Sequence, residues 1–83
     1  MYQEIDKYSD VIRVDSDILG GTPVFYGTRV PVKNLFDYLE TGETIEDFLQ
    51  DFESVQHHQV LRVLELSKKL LETSISAVYE SVA

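Results

Sequence analysis

Between Gly42 and Ser54 four large apolar residues, Ile45, Phe48, Leu49 and Phe52, recur at i, i+3, i+4 and i+7. That spacing places them on one face of a helix. Thr44 precedes the run and Asp47 follows three residues later, the spacing of a shortened capping box. The pattern predicts a short helix over 45–51. Such a helix encloses a core only together with neighbours, and both flanks supply them.

On the N-terminal side, Pro31 suits a first helical turn. Val32, Leu35, Phe36 and Leu39 follow at helical spacing, and Gly42 reads as a C-cap. A helix over 32–41 results. On the C-terminal side, Glu53-Ser54-Val55 reads as a turn. Val60, Leu61, Val63, Leu64, Leu66, Leu70 and Leu71 then belong to a third helix over 56–72. Val60, Leu64 and Leu71 are expected to face the core. Leu61 and Leu66 lie off that stripe and are expected at a partner interface. The last eleven residues, 73–83, carry Ile75, Val78 and Tyr79 at helical spacing. Their serines, threonine and β-branched residues weaken helix propensity. They are expected to form a tail or a short helix and to extend the same interface.

Ahead of the helices, Ile12-Arg13-Val14 alternates as a short strand does. Asp15, Ser16, Asp17, Gly20 and Gly21 are turn formers, and Thr22–Gly27 supplies β-branched and aromatic residues for a second strand. Pro23 confines that strand to an edge. The fold expected is mainly α: a tri-helical helix-turn-helix bundle with a short N-terminal β-hairpin or flap. Its parts are an arm over 1–11, a single domain over 12–72, and the tail over 73–83.

With 83 residues the chain has room for one core; a domain of this size buries only about 63% of its unfolded surface. It has no cysteine, so disulfides and thiolate metal sites are excluded. No basic and apolar leader and no membrane-length apolar run is read, so a cytoplasmic protein without a membrane partner is expected. Fifteen acids face seven lysines and arginines, a net charge of -8. Bulk attraction to nucleic acid is therefore absent. Seven acids and no base lie from Asp37 to Glu53, which reads as a solvated face.

Catalytic patterns are missing. His57 and His58 are adjacent and point about 100° apart on a helix, so they do not form an i, i+4 metal pair. Asp15 and Asp17 lack the oxygen series of an EF-hand. Gly20-Gly21-Thr22-Pro23 matches neither phosphate-loop pattern. Neither an enzyme, a metal nor a cofactor is expected. Arg29, between the flap and the helices, is expected to tie the two together, with phosphate or a protein partner as the other readings.

Helices 45–51 and 56–72 have helix-turn-helix connectivity, which brings the start of the third helix toward a major groove. Gln56, His57, His58 and Gln59 offer polar groups there, with Arg62, Lys68 and Lys69 as phosphate contacts. Residues 54–71 hold those three bases against the single acid Glu65. Operator DNA and a homodimer that reads two half-sites are the partners this suggests.

The stretches GGTPVFYGTRVPV (20–32) and DYLETGETIEDFLQDF (37–52), continued by HHQVLRVLELSKKLLE, resemble the domain of unknown function 433 family. Gly21, Pro23, Gly27, Thr28, Arg29 and Pro31 match its flap motif. Leu35, Leu39, Gly42, Ile45, Phe48 and Leu49 match its helical core and turns. Where the family often has Ser or Thr and an acid at the start of the third helix, this chain has Gln56 and His58. The resemblance implies a homeodomain-like helical domain. It also implies an antitoxin component that neutralises a PIN-like toxin and represses its own genes. A homo-oligomeric scaffold without DNA binding is the alternative.

Overall fold

A computed structural model describes residues 10–82; the side chains of 81 and 82 are not described. Most of the arm expected over 1–11 lies outside them. The fold is mainly α, with three helices and an N-terminal two-stranded hairpin. The elements in chain order are β1 (Ile12–Arg13), β2 (Val24–Phe25), α1 (Lys33–Glu40), α2 (Ile45–Asp51) and α3 (His57–Val82).

β1 and β2 pair antiparallel, Ile12 opposite Phe25 and Arg13 opposite Val24. A further bridge joins Val24 to Pro31, so the chain passes β2 on both sides before it enters α1. The loop between the strands turns through three consecutive left-handed residues, Leu19 (φ 50°), Gly20 and Gly21. Asp15 steadies its start: its carboxylate accepts from the Asp17 N–H at 2.8 Å and from Arg13 at 3.1 Å. These bonds, that to Asp17 first, hold the Asp15 carboxyl below the usual carboxylate range.

α1 stops where the sequence predicts. Gly42 takes φ 89°. Its N–H donates to Leu39 O and the Glu43 N–H to Tyr38 O, which together make a Schellman closure. α2 begins two residues on, behind a complete capping box. The Asp47 N–H donates to Thr44 Oγ1 and the Thr44 N–H to Asp47 Oδ2, both at 3.0 Å.

Phe25, Leu35, Phe48, Val55, Val60 and Val63 form the buried core, so the hairpin and all three helices each contribute. Phe48 is at its centre. Its ring lies 5.8 Å from Phe25, 5.4 Å from Tyr38 and 4.9 Å from Phe52, at the offset and edge geometries that aromatic rings prefer. Tyr38 also donates its hydroxyl to Asp51 Oδ2 at 2.6 Å, which links α1 to the end of α2. That bond, followed by desolvation and nearby acids, pushes the Tyr38 hydroxyl pKa up to about 12.

The structure departs from four of these expectations. α3 does not end at 72 but runs on through Val82, and the expected tail is its second half. Leu66 is buried, not free for a partner, and packs against the fully buried Val11. Val11 and Asp10 thus join the body and not the arm: Val11 O also accepts the Tyr26 N–H at 2.9 Å. Conversely, Leu71 is 61% exposed and Leu64 only half-buried. The core stripe of α3 is Val60, Val63 and Leu66, rotated from the expected Val60, Leu64 and Leu71. The reason is the hairpin, whose Val11 covers a side of α3 that local periodicity cannot identify.

Candidate functional site

Three regions hold the residues singled out in the sequence: the flap, the start of α3, and the long exposed half of α3.

The flap motif builds a turn. Gly27 takes φ 79°, a conformation open to glycine at little cost. Thr28 locks the loop from both sides, its hydroxyl donating to Phe25 O at 2.8 Å and accepting the Val30 N–H at 3.0 Å. Pro23 O accepts the Val32 N–H, so the two prolines flank the step into α1. The expected tether through Arg29 is not what the structure has. Its side chain is exposed and makes no hydrogen bond or ion pair within the described residues. The neighbouring hydroxyl of Thr28 performs the locking, because it reaches two backbone groups at no cost in side-chain extension.

At the start of α3, Gln56, His57 and His58 are exposed, as a reading surface requires. Gln59 is not: only 5% of it is exposed. Its Oε1 accepts the Gln56 N–H at 2.9 Å, and its Nε2 donates to Tyr26 O at 3.0 Å. Gln59 occupies the third helical position, where Glu or Gln reaches back to the cap residue's N–H in a capping box. The expected groove contact is thus a structural pin between the helix start and the flap. The signal for it was present in the spacing of Gln56 and Gln59.

Two of the three bases of α3 also have local duties. Arg62 meets Asp10 through two bonds of 3.2 Å, a bidentate pair with both side chains partly exposed. Lys68 lies 3.4 Å from Glu65. Lys69 is exposed. The phosphate-contact set Arg62, Lys68 and Lys69 is therefore partly neutralised by Asp10 and Glu65, and Asp10 was not identified from the sequence.

The second half of α3 stands clear of the body. Residues 68–80 are all exposed, including Leu70, Leu71, Ile75, Val78 and Tyr79. Of the expected interface, Leu61, Ile75, Val78 and Tyr79 are between 46% and 68% exposed, and only Leu66 drops out. No helix among the described residues is long and apolar enough to cross a membrane.

Comparison with known proteins finds likeness in sequence. A relative, "Uncharacterized protein y4eO" of Sinorhizobium fredii (strain NBRC 101917 / NGR234), is 35% identical over 51 residues. That stretch is 61% of this chain and 23% of y4eO, so the match spans about a quarter of the relative's length. No solved structure matches the chain. The model of the family described as "Protein of unknown function (DUF433)" matches residues 12–66, from β1 to the last core residue of α3, and the chain belongs to that family.

Proposed function

We propose that this chain is a non-enzymatic interaction module, an antitoxin component that binds and neutralises a PIN-like toxin. The observation that carries the reading is the overhang of α3. From Lys68 onward a helix with several large, exposed apolar side chains projects from the body that the described residues form. Apolar surface of this extent on a small domain marks an interaction site. A helix laid into a groove is a common way for one protein to occupy another. The overhang lies beyond residues 12–66, the part matched by the family. A helix that runs on past the family-matched body suits a module that must recognise one toxin.

The same reading includes repression of the paired genes through the start of α3, with Gln56, His57 and His58 toward the major groove. The net charge of -8 and the pairing of Arg62 and Lys68 with acids oppose tight binding. Base contacts must therefore supply more of the affinity than phosphate contacts.

The test is co-purification with a PIN-like protein encoded beside this chain's gene, combined with growth rescue when both are expressed. Capture and rescue are expected, with loss of both in Tyr79→Asp. Neither capture nor rescue by the unaltered chain would overturn the antitoxin reading. For DNA, mobility shifts on the chain's own upstream region are run across salt concentrations. Preference for that region is expected, weakened in a Gln56→Ala, His57→Ala double variant. No preference even at low salt would remove repression and leave toxin capture standing.

A further inference from the structure

Most of the apolar residues that α3 leaves outside the core fall in one row, with Leu70 and Tyr79 off it. Leu61, Leu64, Lys68, Leu71, Ile75 and Val78 follow one another at steps of 3, 4, 3, 4 and 3. That is a heptad seam with Leu61, Lys68 and Ile75 at a and Leu64, Leu71 and Val78 at d. Steps of 3 and 4 also serve a helix packed on a globular body; continued past the end of the body, they suit helices that coil around one another. Leu64 is half-buried where the seam starts beside the core; the other five are exposed.

We infer that this seam is the contact between two copies of the chain, joined in parallel as a two-stranded coiled coil along α3. The proposal shares with the antitoxin reading only the view that the overhang is an interface.

Three observations select a second copy. First, the partner of a heptad seam must carry the same period, and every copy of this chain does. Second, leucine at the d positions 64 and 71 with β-branched Ile75 at a favours two strands. A lone lysine at an a position, here Lys68, is a device that sets register and partner number. Its stem can pack in the seam while the ammonium stays in water beside Glu65, 3.4 Å away. Third, charge leaves this strip as the approach path. The seam contains no acid, whereas the chain as a whole carries a net charge of -8.

Charge also selects the direction. Glu65 and Glu72 occupy e positions, and Ser67 and Ser74 occupy g positions. Antiparallel coils set e beside e and would bring these glutamates together. Parallel coils set e beside g and pair them with serines. The parallel arrangement puts both bodies at the same end, with the exposed Gln56, His57 and His58 of each copy on a common side.

From Leu61 to Val78 the seam is about 26 Å long at 1.5 Å per residue. That is a narrow strip beside the ~800 Å² per partner of a standard interface. The dimer is therefore concentration-dependent. The overhang nevertheless needs no partner to start its helix, because the first half of α3 is already held against the body.

Sedimentation equilibrium of the whole chain alone, from 1 to 500 µM as roughly suits a weak interface of this kind, reads the association. The mass is expected to rise from one chain to two and to stop there. Leu71→Asp should stay monomeric with an unchanged melting temperature, since Leu71 touches little of its own body. Lys68→Ile should tighten the dimer at least tenfold. Because the chain has no cysteine, direction is read by Val78→Cys. Parallel d positions face their own copies, so oxidation should cross-link it, while Ser76→Cys on the outer side should not cross-link. A monomer throughout the range, an unchanged affinity in Lys68→Ile, or a dimer that Val78→Cys fails to cross-link would overturn the proposal. A monomeric chain that still captured toxin would refute the seam and spare the antitoxin reading; a dimer without toxin capture would do the reverse.

Discussion

Replacing Gln59 by alanine separates the two roles assigned to the start of α3, because a groove contact and a structural pin fail in different ways. Three losses follow from the structure. The Gln56 N–H loses its side-chain acceptor at 2.9 Å, a cap interaction of about 1 kcal/mol. Tyr26 O loses the donor at 3.0 Å that joins flap to helix, about 1 kcal/mol for a net hydrogen bond. A methylene leaves a site only 5% exposed, a further ~0.8 kcal/mol. The sum is about 3 kcal/mol. A domain of this size has roughly 4–12 kcal/mol in all at 0.05–0.15 kcal/mol per residue. Since 1 kcal/mol moves the midpoint by about 4–8 °C in domains of 60–100 residues, the melt should fall by at least ~10 °C. Gln59→Glu keeps the acceptor for Gln56 but loses the donor to Tyr26 and introduces a charge at a buried site. It should destabilise as much or more. Urea and thermal unfolding followed by circular dichroism measure both variants. A melt within 2 or 3 °C of the unaltered chain, roughly the shift of half a kcal/mol, would refute the pin and return Gln59 to the reading surface.

Phe48→Ala removes the ring at the meeting point of hairpin, α1 and α2 and should cost about 3–5 kcal/mol. Leu64→Ala, at a half-buried position, should cost clearly less, and urea midpoints of the pair give the order. Acid weakens the α2 cap. The Thr44 N–H, and then the Thr44 side chain, hold the Asp47 carboxyl below its ordinary value. Its stabilisation is complete above the unfolded pKa and fades as pH falls through the lower folded one, from about pH 4 downward. Asp47→Asn should flatten that part of the stability profile, read by denaturant unfolding at stepped pH. At the alkaline end the sign reverses. Tyr38 keeps its proton up to about 12 in the fold, so its contribution is present below the ordinary tyrosine value of 10 and is lost between there and about 12. Tyrosine absorbance should show one late-titrating hydroxyl that vanishes in Tyr38→Phe.

Legibility in the sequence tracks the range of the interactions that decide each feature. The bounds of α2 are as expected at 45–51, because its cap, its apolar repeat and the preceding Gly42 all lie within eleven residues. The hairpin and the close of α1 are equally local. α3 was misjudged in both length and rotation. Ser and Thr at 73, 74 and 76 lower helix propensity, yet propensity is a weak prior once a helix is already nucleated on a body. Its rotation depends on Val11 and Tyr26, far away in the chain, which decide that Val63, Leu66 and Gln59 face inward. The candidate site shows the same division. The exposure of His57 and His58 could be anticipated from their polarity at a helix start, whereas that of Ile75 and Val78 depends on where the body ends. The inward position of Gln59 and the pairing of Arg62 with Asp10 could not be ranked against a groove contact without knowing where the flap lies.

The broad apolar surface of α3 has a single physical account once both of its stripes are separated. Val60, Val63 and Leu66 satisfy the body and end where the body ends. Leu61, Leu64, Leu71, Ile75 and Val78 keep a different period, run on past that point and remain largely exposed. A helix serving only the body would have no reason to continue after Leu66 with leucine, isoleucine and valine. A helix serving only an interface would not need Gln59 and Val63 buried under the flap. The two stripes make α3 a rigid connection between the core and the overhang. A second copy or a toxin seated on the overhang would then stand at a fixed orientation to the Gln56–Gln59 cap and the exposed histidines beside it. Coupling between partner binding and DNA reading in this chain would need no moving hinge, only the fixed orientation that a shared helix imposes on both ends.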